Sequence, residues 1–209
     1  MKAISKFSKS TNMGEIKKEY KIKIICGVIY NPFWCKERFS VKDDKDIIKE
    51  INSLVLLEFE KEFGVKEIDL QSDVIKFDFT NYYNDEMGED LYRYWFSFSP
   101  SIEIAQVYKI KVLSNEIEKK FFSDEKTNRK VNLDPGYIDG SKLVLFSTKN
   151  YSHRVYIGEG IFAEVTLLYK HKQFHILEWT YPDYKTQTAI EFFSKVREVY
   201  NKEYTKQDK

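Results

Sequence analysis

The side chains best suited to chemistry fall in one stretch, residues 131–184, VNLDPGYIDGSKLVLFSTKNYSHRVYIGEGIFAEVTLLYKHKQFHILEWTYPDY. Asp134, Lys149, His153, Arg154, Glu164 and Asp183 are its reactive groups, set among short apolar runs, glycines and two Pro-containing turns. A polar residue held between a turn and a buried strand is fixed in place, and binding or catalysis needs that fixity. His153 titrates near neutrality, Arg154 offers a planar fork of donors, and Lys149 lies four residues upstream. Together the three suit an anionic, phosphorylated small molecule. The competing reading is structural, with His153 held by hydrogen bonds and Arg154 paired with an acid such as Glu164. Asp134 and Asp183 each stand beside a proline. There a carboxylate can act as a base, hold Mg²⁺ or Mn²⁺, or bond the backbone of its own turn. Linear spacing leaves these roles open.

Other patterns carry less. The chain has no GxxxxGK[ST] string, so no phosphate-cradling loop of that kind. Gly158-Glu159-Gly160 runs into a strand rather than a helix, which makes it a β-turn and not a dinucleotide fingerprint. His171 and His175 flank a hairpin turn instead of sharing a helix face, against joint metal ligation. Glu116, Glu118 and Lys120 alternate like the ExExK string of the triphosphate tunnel enzymes, whose inward acids hold Mg²⁺ or Mn²⁺. That motif needs a strand, whereas Leu113, Ile117 and Phe121 keep a helical period through it. Asp85, Glu86, Glu89 and Asp90 form an acidic patch beside Tyr82 and Tyr83, and Arg93 follows closely enough to pair with one of them.

The elements that must position these groups read as a single α+β domain over residues 21–203. A polar lead-in at 1–20 precedes it and a frayed tail at 204–209 follows. KIKIICGVIY (21–30) is a strand apolar on both sides, stopped by Asn31-Pro32. Residues 43–63 read as a helix from Asp43 to the stop at Gly64, and 74–79 as a strand, giving a βαβ-like opening. Residues 91–98 form a further strand. Ser99-Pro100 would then cap a helix running to about residue 122. The C-terminal half is rich in hairpins, with strands at 131–133, 143–148, 161–169 and 174–179, and Asp134-Pro135-Gly136 as a turn. A helix over 186–203, with Thr188 and Glu191 in capping-box spacing, closes the chain. The expectation is a mixed sheet with about three main helices.

Composition narrows the function classes. Lys and Arg total 34 against 33 Asp and Glu, a near balance without the basic footprint that duplex nucleic acid demands. Fifteen Tyr and sixteen Phe point to a ring-filled core. No apolar run reaches the ~20 residues of a membrane span, and the lysines of MKAISKFSKS interrupt any signal-peptide core. Cys26 and Cys35 read as free thiols, so the expected compartment is the cytoplasm. No pattern speaks to oligomeric state.

FDFTNYYNDEMG (77–88), VNLDPGYI (131–138), TKNYSHRVYIGEGIFAEVTL (148–167) and WTYPDY (179–184) resemble the bacterial family known as domain of unknown function 4416. The resemblance runs from about residue 21 to 200. It implies no particular reaction. Through the EMG string it places Glu86 as a residue facing the same site. Two functions of different class stay open: an enzyme or binder acting on a phosphorylated or other anionic small molecule such as a nucleotide, and a non-catalytic module recognising a nucleotide, RNA or a protein. Metal dependence, with Mg²⁺ or Mn²⁺ as candidates, is also open.

Overall fold

The structure is a computed structural model that describes residues 20–103, 105–124, 126 and 128–205. Among these, ten strands join one sheet: β1 (Lys21–Tyr30), β2 (Glu67–Gln71), β3 (Ile75–Lys76), β4 (Tyr92–Ser99), β5 (Ile102–Glu103), β6 (Val131–Ile138), β7 (Lys142–Ser147), β8 (Val155–Gly158), β9 (Ile161–Lys170) and β10 (Gln173–Ile176). The helices are α1 (Pro32–Phe39), α2 (Asp44–Phe63), α3 (Asn84–Met87), α4 (Tyr108–Phe121) and α5 (Gln187–Thr205). The main order is β10-β9-β7-β6-β1-β4-β2.

β1 is central because its β-branched residues alternate and both faces are buried. Ile24, Cys26 and Val28 meet α2 and α4 through Ile47, Ile51, Val55, Phe59, Ile110 and Ile117. Ile25 meets Trp95 and the α5 residues Ala189, Phe193 and Val196 on the other side. Each such Val, Ile or Phe side chain taken from water contributes roughly 1.5–3 kcal/mol. Asp43 caps α2 by accepting from Asp46 N at 2.9 Å, and Gly64 ends it at φ 71°. Phe59 of α2 stacks on Phe98 of β4 with centroids 4.7 Å apart. The three long helices thus cover two faces of one sheet, in the α+β class expected.

Several local expectations change. Every ladder is antiparallel, so the sheet is not mixed. β1 and β2 do run the same way, but with β4 between them, which makes the opening a split βαβ unit. NPFWCKERF is a helix, because Asn31 accepts from Trp34 N and Pro32 suits its first turn. The helix expected from residue 101 begins only at Tyr108, since Ile102 and Glu103 instead pair with Ile22 and Lys21. Within 74–79 only Ile75 and Lys76 are strand. The N-terminal hydroxyl of α5 is Thr186, whose Oγ1 accepts from Ala189 N, rather than Thr188. His171 and Lys172, at φ 49° and 65°, make the tight turn between β9 and β10. Tyr20 apart, the lead-in at 1–20 lies outside the described residues, as does the tail from 206.

The correction that matters most for the site is at Asp134-Pro135-Gly136. These residues are the middle of β6, not a turn, and pair with Gly27, Cys26 and Ile25.

Candidate functional site

β6 pairs with β1 along its whole length but with β7 only at Gly136, Tyr137 and Ile138. Gly136 permits that close approach, because a Cβ there would stand 2.1 Å from the Val144 carbonyl oxygen. Pro135 has no N–H to extend the ladder, and pairing to β7 stops beside it. The two strands part, and a cavity of about 400 Å³ is lined by Asn132 and Asp134 on one side and Leu145–Ser147 on the other. Because the gap lies in the sheet, residues from both layers reach it: Lys111 and Asn115 of α4, and Tyr181–Tyr184 before α5.

Behind the floor stands Arg93, fully buried on β4. Its Nη1 donates to Asp134 Oδ2 at 2.8 Å, and its Nε lies 3.2 Å from Asp183 Oδ2, off the line of a hydrogen bond. The guanidinium is 5.0 Å from the ring centroids of both Trp95 and Tyr184. Gly27 makes the room, since a Cβ there would meet Arg93 Nη2 at 2.5 Å and Tyr184 Oη at 2.9 Å. The two carboxyls are pushed in opposite directions. Burial raises Asp134, but Arg93 and Lys111 outweigh it and hold the group below its ordinary value. Burial raises Asp183 too, and the neighbouring Asp134 charge adds to it, so that Arg93 cannot bring it back. Two carboxyls shifted apart on a single arginine are the kind of pair whose environments can divide acid from base roles.

A second cluster closes one wall. Arg154, 8 % exposed, donates from Nε to Glu164 Oε2 at 2.7 Å and from Nη1 to Ser147 Oγ and the Lys149 carbonyl, each at 2.9 Å. Its Nη2 donates to Tyr181 Oη. Burial, followed by the Glu164 charge, pushes the Tyr181 phenol up to about 12. Arg154 and Glu164 both line the cavity, yet they spend their charge on each other. His153 lies behind them, with Nε2 3.1 Å from Glu164 Oε2 and its ring stacked between Tyr151 and Trp179 at 6.0 and 5.1 Å.

The rim is basic. Lys149 Nζ donates to Tyr82 Oη at 2.7 Å and lies 3.9 Å from that ring's centroid. Among the described residues it is the cavity cation with no carboxylate in ion-pair range. Arg129 also lines the cavity and pairs with Glu86 at 3.0 Å and Glu118 at 3.1 Å. Glu86 therefore reaches the site through Arg129 rather than from the lining. Lys111 Nζ donates to the Leu133 carbonyl at 2.7 Å, while buried Glu118 accepts from Leu133 N at 2.7 Å. Glu116, Glu118 and Lys120 ride helix α4, which removes the triphosphate-tunnel reading. Glu118 instead buttresses the strand that carries Asp134.

Asp134, Lys149, Arg154, Glu164 and Asp183 thus meet at one cavity, while His153 and Glu86 stand one contact behind it. Arg93 pairs with Asp134 and Asp183 rather than with the acidic patch at 85–90, and Gly27, Lys111, Arg129 and Asn132 complete the site unannounced. For Gly27, Arg93 and Lys111 the signal was a glycine inside an apolar strand and charges inside the largely apolar runs YRYWFSFS and YKIKVL; Arg129 and Asn132 had none. Among the described residues no group of three or more His, Cys, Asp or Glu is arranged to hold a metal ion. A divalent ion here would need oxygens from a ligand beside Asp134.

No curated protein and no solved structure matches the chain. Residues 38–200 match the model of the family described as Domain of unknown function (DUF4416). That match spans well over half of the sequence, and the chain belongs to this family.

Proposed function

We propose that the cavity binds a phosphorylated or otherwise anionic small molecule of about nucleotide size, in a bacterial cytoplasm. Asp134 and Asp183 are the groups that would exchange protons with it if it is turned over. The observation that carries this reading is the rim: Lys149 has no acid partner among the described residues and sits above aromatic walls, with Arg129 beside the same opening. A charge-assisted hydrogen bond there stabilises a bound anion by roughly 1.5–3 kcal/mol. The cavity's volume lies within the roughly 300–1,000 Å³ of small-molecule sites. Supporting the compartment, Cys26 and Cys35 are free and buried, and no helix among the described residues is long and apolar enough to cross a membrane.

A second reading, a non-catalytic module for a nucleotide, RNA or protein partner, is favoured by His153. Its ring is outside the cavity lining and packed between two others, which leaves the site without an imidazole for proton transfer. One screen addresses both. Nucleotides, sugar phosphates and inorganic phosphates are tested for thermal stabilisation with and without Mg²⁺ or Mn²⁺, and each stabilising compound is followed for turnover. The expected result is a stabilising phosphorylated compound whose effect shrinks in Lys149→Ala; at 100 times Kd it adds about 2.7 kcal/mol of stability. If no phosphorylated compound stabilises the wild type, the anionic-ligand reading fails. Binding without turnover selects the second.

A further inference from the structure

Two tyrosines at the cavity are oriented by cations. Lys149 Nζ donates to Tyr82 Oη, and Arg154 Nη2 donates to Tyr181 Oη. A phenol oxygen that accepts from a cation must turn its own O–H elsewhere. Among the described residues neither hydroxyl donates to a protein group. Both side chains line the cavity and both are open to solvent, Tyr82 58 % and Tyr181 41 % exposed. The two pairs form one network, because Arg154 Nη1 also donates to the Lys149 carbonyl at 2.9 Å. Around them the charges nearly cancel. Arg154 is spent on Glu164, Arg129 on Glu86 and Glu118, and Lys111 lies 4.0 Å from Glu118 and close to ionised Asp134. What remains for a ligand is two neutral hydroxyls and the two unused hydrogens of the Lys149 ammonium.

We infer that Tyr82 and Tyr181 are ligand-binding residues, and that with Lys149 they hold one tetrahedral oxyanion, the phosphoryl group of a small phosphomonoester. The inference rests on the anionic-ligand reading and names its substrate class and two of its contacts. A phosphoryl group offers three terminal oxygens to these three donor groups, where a carboxylate offers two. A polyphosphate would bring three or more charges to one free cation, with the Asp134 carboxylate on the same cavity wall to repel them. Each phenol is a stronger donor for being polarised by the cation behind it. Burial keeps the Tyr181 proton in place at neutral pH, so that phenol enters as a donor and not as a phenolate. The body of the ester would lie against the rings of Phe79, Tyr83 and Tyr151, which line the same cavity.

The test removes the hydroxyls and keeps the rings. Calorimetric titration measures phenyl phosphate, ribose 5-phosphate, benzoate and tripolyphosphate, without divalent metal, on wild type, Tyr82→Phe and Tyr181→Phe. The expected result is that a phosphomonoester binds the wild type more tightly than benzoate or tripolyphosphate does. It should lose roughly tenfold in affinity in each Phe variant, the scale of one hydrogen bond to a charged group. Tyr82 is the more exposed of the two, so Tyr82→Phe carries the test alone should Tyr181→Phe disturb Arg154 and fail to fold. Unchanged or tighter phosphomonoester binding in a folded Phe variant would mean that the phenols merely occupy the cations; it overturns the inference and leaves the anion site standing. Benzoate or tripolyphosphate binding as tightly as the monoesters overturns the substrate class, again without touching the anion site. Binding of none of the four overturns the anionic-ligand reading together with the inference.

Discussion

Two buried cations lie on the same face of the sheet, each between two acids, and they are not equivalent. Lys23 is fully buried on β1, with Nζ 2.8 Å from both Asp69 and Glu203. All four carboxylate oxygens there are engaged: Asp69 also accepts from Ser97 Oγ at 2.6 Å, and Glu203 from Ser101 N at 2.8 Å. Arg93 is as deeply buried between Asp134 and Asp183, yet its Nε and Nη2 make no hydrogen bond among the described residues, and a cavity opens beside its partners. The first cluster ties α5 to β1 and is complete. The second is incomplete in the protein alone. Similar ingredients make a staple where every carboxylate oxygen is engaged and a candidate site where guanidinium donors are not.

The comparison can be broken by removing each cation. Arg93→Met should be the most damaging substitution, because it strands Asp134 and Asp183 against Trp95 and Tyr184. The cost of breaking a buried pair this way is roughly 3–5 kcal/mol, read as the loss in chemical-denaturation stability. Lys23→Met should cost less, roughly 1–3 kcal/mol, since Asp69 and Glu203 both retain side-chain exposure, 15 % and 26 %, and can rehydrate, whereas Asp183 retains 8 %. A larger loss for Lys23→Met than for Arg93→Met would reverse the account. Gly27→Ala should fall in a similar range, roughly 1–3 kcal/mol, because the guanidinium it would strike is pinned on three sides.

The pH dependence contributed by Glu203 and by Asp183 should differ in sign. Burial raises Glu203, but hydrogen bonds from Lys23 and Ser101 outweigh it and leave the group below its ordinary value. Its contribution to stability is therefore present above the unfolded carboxylate pKa and lost as pH falls through the folded one. Asp183, raised by burial, behaves oppositely: its carboxyl is best tolerated protonated, and stability is lost as pH rises through its folded pKa. Thermal midpoints should accordingly show Asp183→Asn gaining on the wild type as pH climbs from below the ordinary Asp value of 3.8. The defect of Lys23→Met should instead shrink as pH drops. An Asp183→Asn deficit that grows with pH would contradict the burial argument.

Much of the frame was legible, because it is written in periodicity. The alternation of KIKIICGVIY, the helical spacing from Ile47 to Phe59 and the short turn before Gln173 each have one local solution. The reactive residues of 131–184 were legible as types, and five of them line the cavity. What sequence could not supply was the fork between β6 and β7. Asp-Pro-Gly favours a turn locally, and only pairing with β1 stretches it into a strand interior. Once Asp134 is read as a turn residue, its partner Arg93, 41 positions away, has no reason to appear. The same holds for His153, whose chemistry suggests a catalyst and whose packing between Tyr151 and Trp179 is a long-range fact.

The central claim is that the incomplete cluster faces a ligand and the complete one does not. Calorimetric titration of the most stabilising phosphorylated compound into wild type, Lys149→Ala and Lys23→Met tests it most directly. Lys149→Ala should weaken binding roughly tenfold or more, the loss of one charge-assisted hydrogen bond, with little change in stability. Lys23→Met should bind like the wild type although it is the less stable protein. Undiminished affinity in Lys149→Ala, or a parallel fall in both variants, would contradict the account.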